Sequence, residues 1–289
     1  MAEASHAGID VGGTKCLGVA LDSRGEVVDE HRVATPSVAD RLLDVLTELA
    51  ERFAPIASLG VGVPGLVDRA GVLHAAPNLG AAAGLAVGPM LGERLGMAVR
   101  VDNDATCAAV AEWRAGAGRG HDDVVMVTLG TGIGGGVIAG GELQRGTNGF
   151  AGEIGHMVVD PAGPPCPCGR RGCWERYASG SGLGWLAGAR RGEEVVDEAR
   201  MGSAEALAVI ERYAWWIALG LANLTNMLDP AVIVIGGGLV SAADVLDEPL
   251  RRAFAELLYA PSRRSHPELH FAELGEHAGA IGAAYLGWG

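Results

Sequence analysis

Four residues in the middle of the chain have the types and spacing of a metal site. They are His156, Cys166, Cys168 and Cys173, in the pattern His-x9-Cys-x-Cys-x4-Cys. Three thiolates and one imidazole make a closed tetrahedral set for Zn²⁺, which braces a loop and does not activate water. The competing readings are buried thiols or a redox pair. Pro161, Pro164, Pro165, Pro167, Gly169 and Gly172 suit a loop wrapped around an ion. Five cysteines, an odd count, do not suggest a disulfide framework, and the bunched three fit a reducing compartment. Cys16 and Cys107 stand in apolar company and read as core thiols.

Carboxylates near these ligands could do further chemistry. Glu153 and Glu175 flank the cluster, and with His156 they could receive the hydroxyls of a sugar. Asn103-Asp104 sits where a strand pattern gives way to a helix pattern. Asp104 could accept a proton from an attacking hydroxyl, or one of the two residues could simply cap the helix. A helix N-terminus weakens a base, which phosphoryl transfer tolerates because positioning and charge neutralisation dominate there. Two carboxylates could also serve glycoside hydrolysis, but that reading leaves the glycine motifs unexplained.

Two such motifs stand out. Asp10-Val11-Gly12-Gly13-Thr14-Lys15 reads as a hairpin whose backbone N–H groups can approach phosphate oxygens. Asp10 at its base could hold Mg²⁺ directly or through water. Lys15 is the only lysine among 22 basic residues. The second motif is the run 130–136, which contains Gly130-x-Gly132-x-x-Gly135. The dinucleotide fingerprint needs a helix after its glycines. Val137-Ile138-Ala139-Gly140-Gly141 reads instead as strand and turn, so a second phosphate-binding hairpin fits better.

The elements that position these residues follow from periodicity. Residues 8–20 read as strand, glycine turn, strand, and 26–34 as a third strand. Residues 38–53, 85–95 and 105–115 read as helices, and 58–63 and 98–101 as strands. Residues 124–129 form a strand, 130–136 a turn, and a further strand starts at 137. The pattern of residues 8–34 thus recurs at 124–145, which predicts two related α/β units. After Ser179 the chain reads as mostly helical, with a strand at 232–235 and a helix at 242–258.

Composition bounds the rest. The chain has 289 residues, a net charge of −13 and 49% hydrophobic residues. That length suits about two domains at ~150 residues each. The acid excess argues against a nucleic-acid or anionic-membrane surface. No targeting or membrane-spanning segment is visible, and a cytoplasmic location is expected.

The ordered set Asp10 to Lys15, Asn103-Asp104, Leu129 to Gly136, Glu153-x-Gly155-His156 and Cys166-Pro-Cys168-Gly169-x-x-Gly172-Cys173-x-Glu175 resembles the ROK family. It is most similar to that family's bacterial ATP-dependent glucokinases. The resemblance implies an actin/hexokinase-like α/β fold, with two α/β domains around a central cleft and a zinc-binding loop. It implies a smaller domain over 1–104, a larger one over 105–276, and a C-terminal helix near 277–289 packing back on the first. It makes Asp104 the general base on the sugar 6-hydroxyl. Gly65, Asn78, Asn103, Glu153, His156 and Glu175 would contact the sugar, with His156 placing one ring nitrogen on zinc.

Gly12, Gly13, Thr14, Lys15, Thr131 and Gly132 would hold ATP phosphates, with Asp10 near Mg²⁺. Gly236, Gly237 and Gly238 would lie against the adenosine. The implied partners are glucose and ATP, and the implied assembly is a homo-oligomer, dimer or tetramer. Repressors of the family carry a DNA-binding segment before the first hairpin. The early position of Asp10 and the acidic charge lead us to expect the kinase branch, with no nucleic acid and no membrane as partner. One departure is the run Gly80-Ala81-Ala82-Ala83-Gly84, where many members place an aromatic residue. It leaves open fructose, mannose, N-acetylglucosamine or N-acetylmannosamine as acceptor. Polyphosphate as donor and a non-catalytic sugar sensor are further alternatives.

Overall fold

The computed structural model describes residues 4–36, 41–75 and 83–288. Its first sheet contains β1 (His6–Val11), β2 (Lys15–Leu21), β3 (Val27–Ala34), β4 (Ser58–Val63) and β7 (Val99–Asn103), in the order β3-β2-β1-β4-β7. A small hairpin, β5 (Leu66–Val67) and β6 (Leu73–Ala75), stands apart. The second sheet contains β8 (Val124–Leu129), β9 (Ile133–Ala139), β10 (Glu142–Leu143), β11 (Val232–Gly236) and β12 (Glu268–Phe271), in the order β10-β9-β8-β11-β12. Both sheets join an antiparallel meander to two parallel strands. The repeat expected from the sequence is therefore a repeat of topology. It is the doubled α/β unit of the actin/hexokinase-like fold.

Among the described residues the helices are α1 (Leu42–Arg52), α2 (Val87–Leu95), α3 (Asp104–Ala115), α4 (Glu175–Ala178), α5 (Gly180–Leu186), α6 (Gly192–Arg200), α7 (Ala204–Leu228), α8 (Ala243–Leu257) and α9 (Ala278–Trp288). Leu42, Leu43, Leu46 and Leu49 of α1 are buried in the core of the first sheet, as their spacing predicts. Helix α7 is fixed at its start by the Ser203 side chain, which accepts from the Ala206 N–H. Its Tyr213, Ile217 and Leu221 join the core of the second sheet. Helix α9 lies on the first sheet so closely that a Cβ on Gly60 would sit 1.8 Å from the Ala283 carbonyl oxygen. No helix among the described residues is long and apolar enough to cross a membrane.

One expected element needs correction. The glycine run 130–136 is not all turn: only Gly130 to Gly132 turn the chain, and Gly134, Gly135 and Gly136 lie within β9. Their lack of side chains serves packing. A Cβ on Gly134 would lie 2.6 Å from Ala105 Cβ, on Gly135 2.4 Å from Ile154 Cδ1, and on Gly136 2.5 Å from Ala109 Cβ. The first turn of α3 and the segment before the zinc loop rest on this bare strand. The β5–β6 hairpin and β12 carry too few residues for a periodic signal and were not expected.

Candidate active site and zinc loop

Strands β1, β4 and β7 run parallel, and their C-terminal ends deliver the first carboxylates. Asp10 pairs in register with Gly62, which pairs with Asp102. Asp104 then opens α3. A Cβ on Gly62 would lie 3.4 Å from Asp10 Oδ1 and 3.5 Å from Asp104 Cα, so the two aspartates flank the same point of β4.

The capping role falls to Asn103. Its extended backbone directs Oδ1 to accept from the N–H groups of Ala105, at 2.9 Å, and Thr106, at 3.1 Å. Its Nδ2 donates to the Gly65 carbonyl at 3.2 Å. The Ala105 N–H also donates to Asp104 Oδ1 at 2.8 Å. Burial nevertheless raises the Asp104 pKa, and the Ala105 N–H only partly offsets it. The Asp10 pKa is raised to about 7, by burial first and then by the Asp104 charge, with Lys15 opposing. Asp10 Oδ1 is buried with no protein partner. A buried carboxylate oxygen of this kind fits a bound cation, so Asp10 suits Mg²⁺.

The second sheet brings the other wall. Gly130 N–H donates to the Gly132 carbonyl at 3.0 Å, which makes a tight turn with Thr131 exposed at its tip. Gly180 N–H donates to the Gly130 carbonyl at 2.8 Å and ties this turn to α5. Glu175 Oε2 would lie 2.9 Å from a Cβ on Gly132, so the turn touches the end of the zinc loop.

The zinc loop places its four ligand atoms within 4.8 Å of one another. His156 Nδ1 lies 3.7 Å from Cys166 Sγ, and Cys168 Sγ lies 3.5 Å from Cys173 Sγ. Zn–S bonds of ~2.3 Å in a tetrahedron separate sulfurs by about 3.8 Å, so these donors fit Zn²⁺. The loop is held by Cys166 N–H to Arg170 O at 2.8 Å and Gly172 N–H to Pro164 O at 2.9 Å. Gly172 has φ +62°, and a Cβ there would meet Asp160 O at 1.6 Å, so glycine is required. His156 Nε2 lies 3.9 Å from Glu153 Oε2, and Glu175 Oε1 lies 3.6 Å from Nδ1. The Glu153 pKa is raised by burial above all, with His156 opposing.

Of the expected sugar contacts, Gly65, Asn103, Asp104, Glu153, His156 and Glu175 line one cleft of about 680 Å³. Asp10, Thr131, Gly132, Gly237 and Gly238 line the same cleft. Asn78 lies outside the described residues. Gly12, Gly13, Thr14 and Lys15 do not line it; only Asp10 at the base of their hairpin does. Lys15 Nζ donates to Glu276 Oε2 at 2.5 Å, and Glu276 itself lines the cleft. Gly236 does not line it either. It ends β11 against the Met126 side chain, 2.5 Å from where a Cβ would stand.

The sequence reading missed a neighbouring cavity of about 800 Å³, reached past Thr131 and Gly238 and walled by Ser181, Glu193 and Asp197. These residues lie on α5 and α6, in a stretch read only as helical. No spacing among them signals a site.

The ROK family profile matches residues 6–288. The chain is 34% identical to the glucokinase of Streptomyces coelicolor, across 96% of each chain. It is 36% identical to the N-acetyl-D-glucosamine kinase of Erwinia tasmaniensis, across 96% of this chain and 98% of that one. It superposes on the crystal structure of a ROK family glucokinase from Streptomyces griseus in complex with glucose and AMPPNP. That match has a TM-score of 0.85 and 35% identity, over 98% and 99% of the two chains. With a matching profile over nearly its whole length and relatives at 34% and 36% identity, the chain belongs to the ROK family.

Proposed function

We propose that this protein is an ATP-dependent glucokinase, transferring the γ-phosphoryl group of ATP to the 6-hydroxyl of glucose. The observation that carries this reading is the convergence in one cleft of Asp104, three sugar-facing polar residues of the zinc loop region and the Thr131–Gly132 turn. Asn103, Glu153, His156 and Glu175 bind sugar hydroxyls. Asp104 accepts the proton of the 6-hydroxyl as its oxygen bonds to the γ-phosphorus and the bond to the β-bridging oxygen breaks. Its burial raises its basicity, which suits that task. A bound Mg²⁺ neutralises phosphate charge, and Asp10 is the residue that would hold it. Zinc, held by His156, Cys166, Cys168 and Cys173, braces the sugar side and stays out of the chemistry.

Thr131, Gly132, Gly237 and Gly238 receive the nucleotide, and Gly12 to Lys15 approach its phosphates from the hairpin as the cleft closes. The adjoining cavity has Glu193 and Asp197 in its wall. Arg200 also lines it and donates to Asp197 at 3.1 Å, so this polar wall of mixed charge suits the amino and hydroxyl groups of adenosine. We assign residues 1–104 with 277–289 to one closing body and 105–276 to the other. The aromatic chain Trp185, Tyr177, Trp216 and Trp215 ends in two tryptophans at least 40% exposed, which supports self-association as a dimer or tetramer.

A coupled ADP-release assay with Mg-ATP and a panel of hexoses, before and after zinc chelation, tests the reading. Rapid turnover on glucose that is lost on chelation is the expected result. Preference for N-acetylglucosamine would keep the mechanism and move the substrate, in line with the N-acetyl-D-glucosamine kinase relative. Sugar binding without turnover would overturn the enzyme assignment.

A further inference from the structure

A separate cavity of about 580 Å³ opens between β7 and β10, the edge strands of the two sheets. It meets a different face of α3 from the cleft: Ala105 and Ala108 line the cleft, Val110 and Trp113 this cavity. Four guanidinium groups line it, those of Arg69, Arg100, Arg114 and Arg145. In a chain of net charge −13 this is a local reversal of sign.

Two of the acids beside them are already committed. Asp68 Oδ1 accepts from the N–H groups of Ala70 and Val72, and its Oδ2 pairs with His74 Nε2 at 2.8 Å. Asp102 accepts the Asn103 N–H on Oδ1 at 2.9 Å and Arg145 Nε on Oδ2 at 2.6 Å. Glu142 is the remaining acid of the wall. The guanidiniums keep most of their donors. Arg69 gives Nε and Nη2 to the Gly146 carbonyl, and Arg145 gives only Nε. Arg114 lies over the Trp113 ring at 4.4 Å, and Arg100 has no protein partner among the described residues. Several uncommitted, planar donors around one space of metabolite size fit a doubly charged group with three acceptor oxygens.

We propose that this cavity binds a small phosphate monoester and that its occupancy lowers turnover through Arg145. The binding site stands on its own; the effect on turnover rests on the kinase reading. A phosphate that engages Arg145 competes with Asp102 for it. Asp102 also anchors the Asn103 N–H, and Asn103 caps α3 directly before Asp104. Occupancy therefore lowers kcat through the placement of Asp104, and any change in the KM for glucose follows from Asn103, which the same anchor holds.

The test uses the full chain with glucose and AMPPNP saturating the cleft, and glycerol 3-phosphate as the calorimetric probe. One site per chain is expected. In the Arg100→Ala/Arg114→Ala variant, whose basal turnover and melting temperature stay at wild-type values, the affinity falls at least about tenfold, as expected for losing charge-assisted hydrogen bonds. In turnover assays the probe lowers wild-type kcat and not that of the variant. No binding by the wild type, or equal binding by the variant, overturns the site. Equal binding of succinate overturns the phosphate assignment. A wild type that binds the probe but phosphorylates no hexose would overturn the kinase reading and leave the site standing.

Discussion

His156 turns Nδ1 towards the Cys166 thiol, at 3.7 Å, and Nε2 towards Glu153 Oε2, at 3.9 Å. One imidazole thus faces the metal ligands on one edge and the sugar side of the cleft on the other. On the proposed function, metal and substrate binding would be coupled through that ring. The expected outcome for Cys173→Ser is loss of bound zinc together with a rise of about 10–100-fold in the KM for glucose. Metal analysis and steady-state kinetics check both. An unchanged KM in the zinc-free variant would uncouple the loop from the sugar.

Asp104→Asn keeps the size of the side chain and removes the base. Asn103 still caps α3, so the helix start should survive. Turnover should fall by about 10²–10⁴-fold while glucose affinity changes little. A loss below about tenfold would assign the proton to another group.

Asp10 carries a pH dependence of stability. Its pKa in the folded chain is about 7, against an ordinary aspartate value of 3.8. The raised value means that the folded form holds the proton more tightly than the unfolded one. That contribution is complete below pH 3.8 and is lost as pH rises through about 7. Asp10→Asn removes the titration. Without nucleotide, its melting temperature should exceed that of the wild type increasingly from pH 4 to pH 8. A constant difference across that range, in scanning calorimetry, would contradict the buried carboxylate.

Gly279 lies within α9, where alanine ordinarily stabilises a helix by about 0.5–1 kcal/mol. Here a Cβ would stand 2.6 Å from Asp10 Cγ and 2.7 Å from its Oδ1. Gly279→Ala should therefore displace Asp10 and lower kcat/KM for Mg-ATP by about tenfold or more, since a misplacement near 1 Å can cost ~10²-fold. The KM for glucose should stay close to that of the wild type. Kinetics with each substrate varied in turn separate the two effects.

Legibility in the sequence followed distance along the chain. The zinc ligands and Glu175 fall in one short segment, so their spacing alone carried the chemistry. The strand 124–129 and helix α3 were readable because their apolar pattern is local and Asn103 is a strong cap. The extent of the second glycine turn was not readable. Gly134 to Gly136 suit a turn by composition, yet they form a strand because they pair with Thr128, Val127 and Met126 of β8, and Ala105, Ala109 and Ile154 occupy the space where side chains would be. Gly236 has the same explanation, with Met126 filling its place.

Residue chemistry and local spacing were enough to establish a doubled α/β chain with a thiolate–imidazole metal loop, two glycine hairpins and an aspartate at a helix start. They did not establish which of these meet. Asp10 and Asp104 flank one point of β4 because β1, β4 and β7 pair in a particular register. The hairpin tip Gly12 to Lys15 does not line the cleft, and it meets the cleft wall only where Lys15 pairs with Glu276, from the far end of the chain. The cavity beside α6 and the arginine-lined cavity between β7 and β10 have no local signature at all. Each is assembled from elements remote in sequence, and their approach is set by sheet order and helix packing, which no short-range pattern encodes.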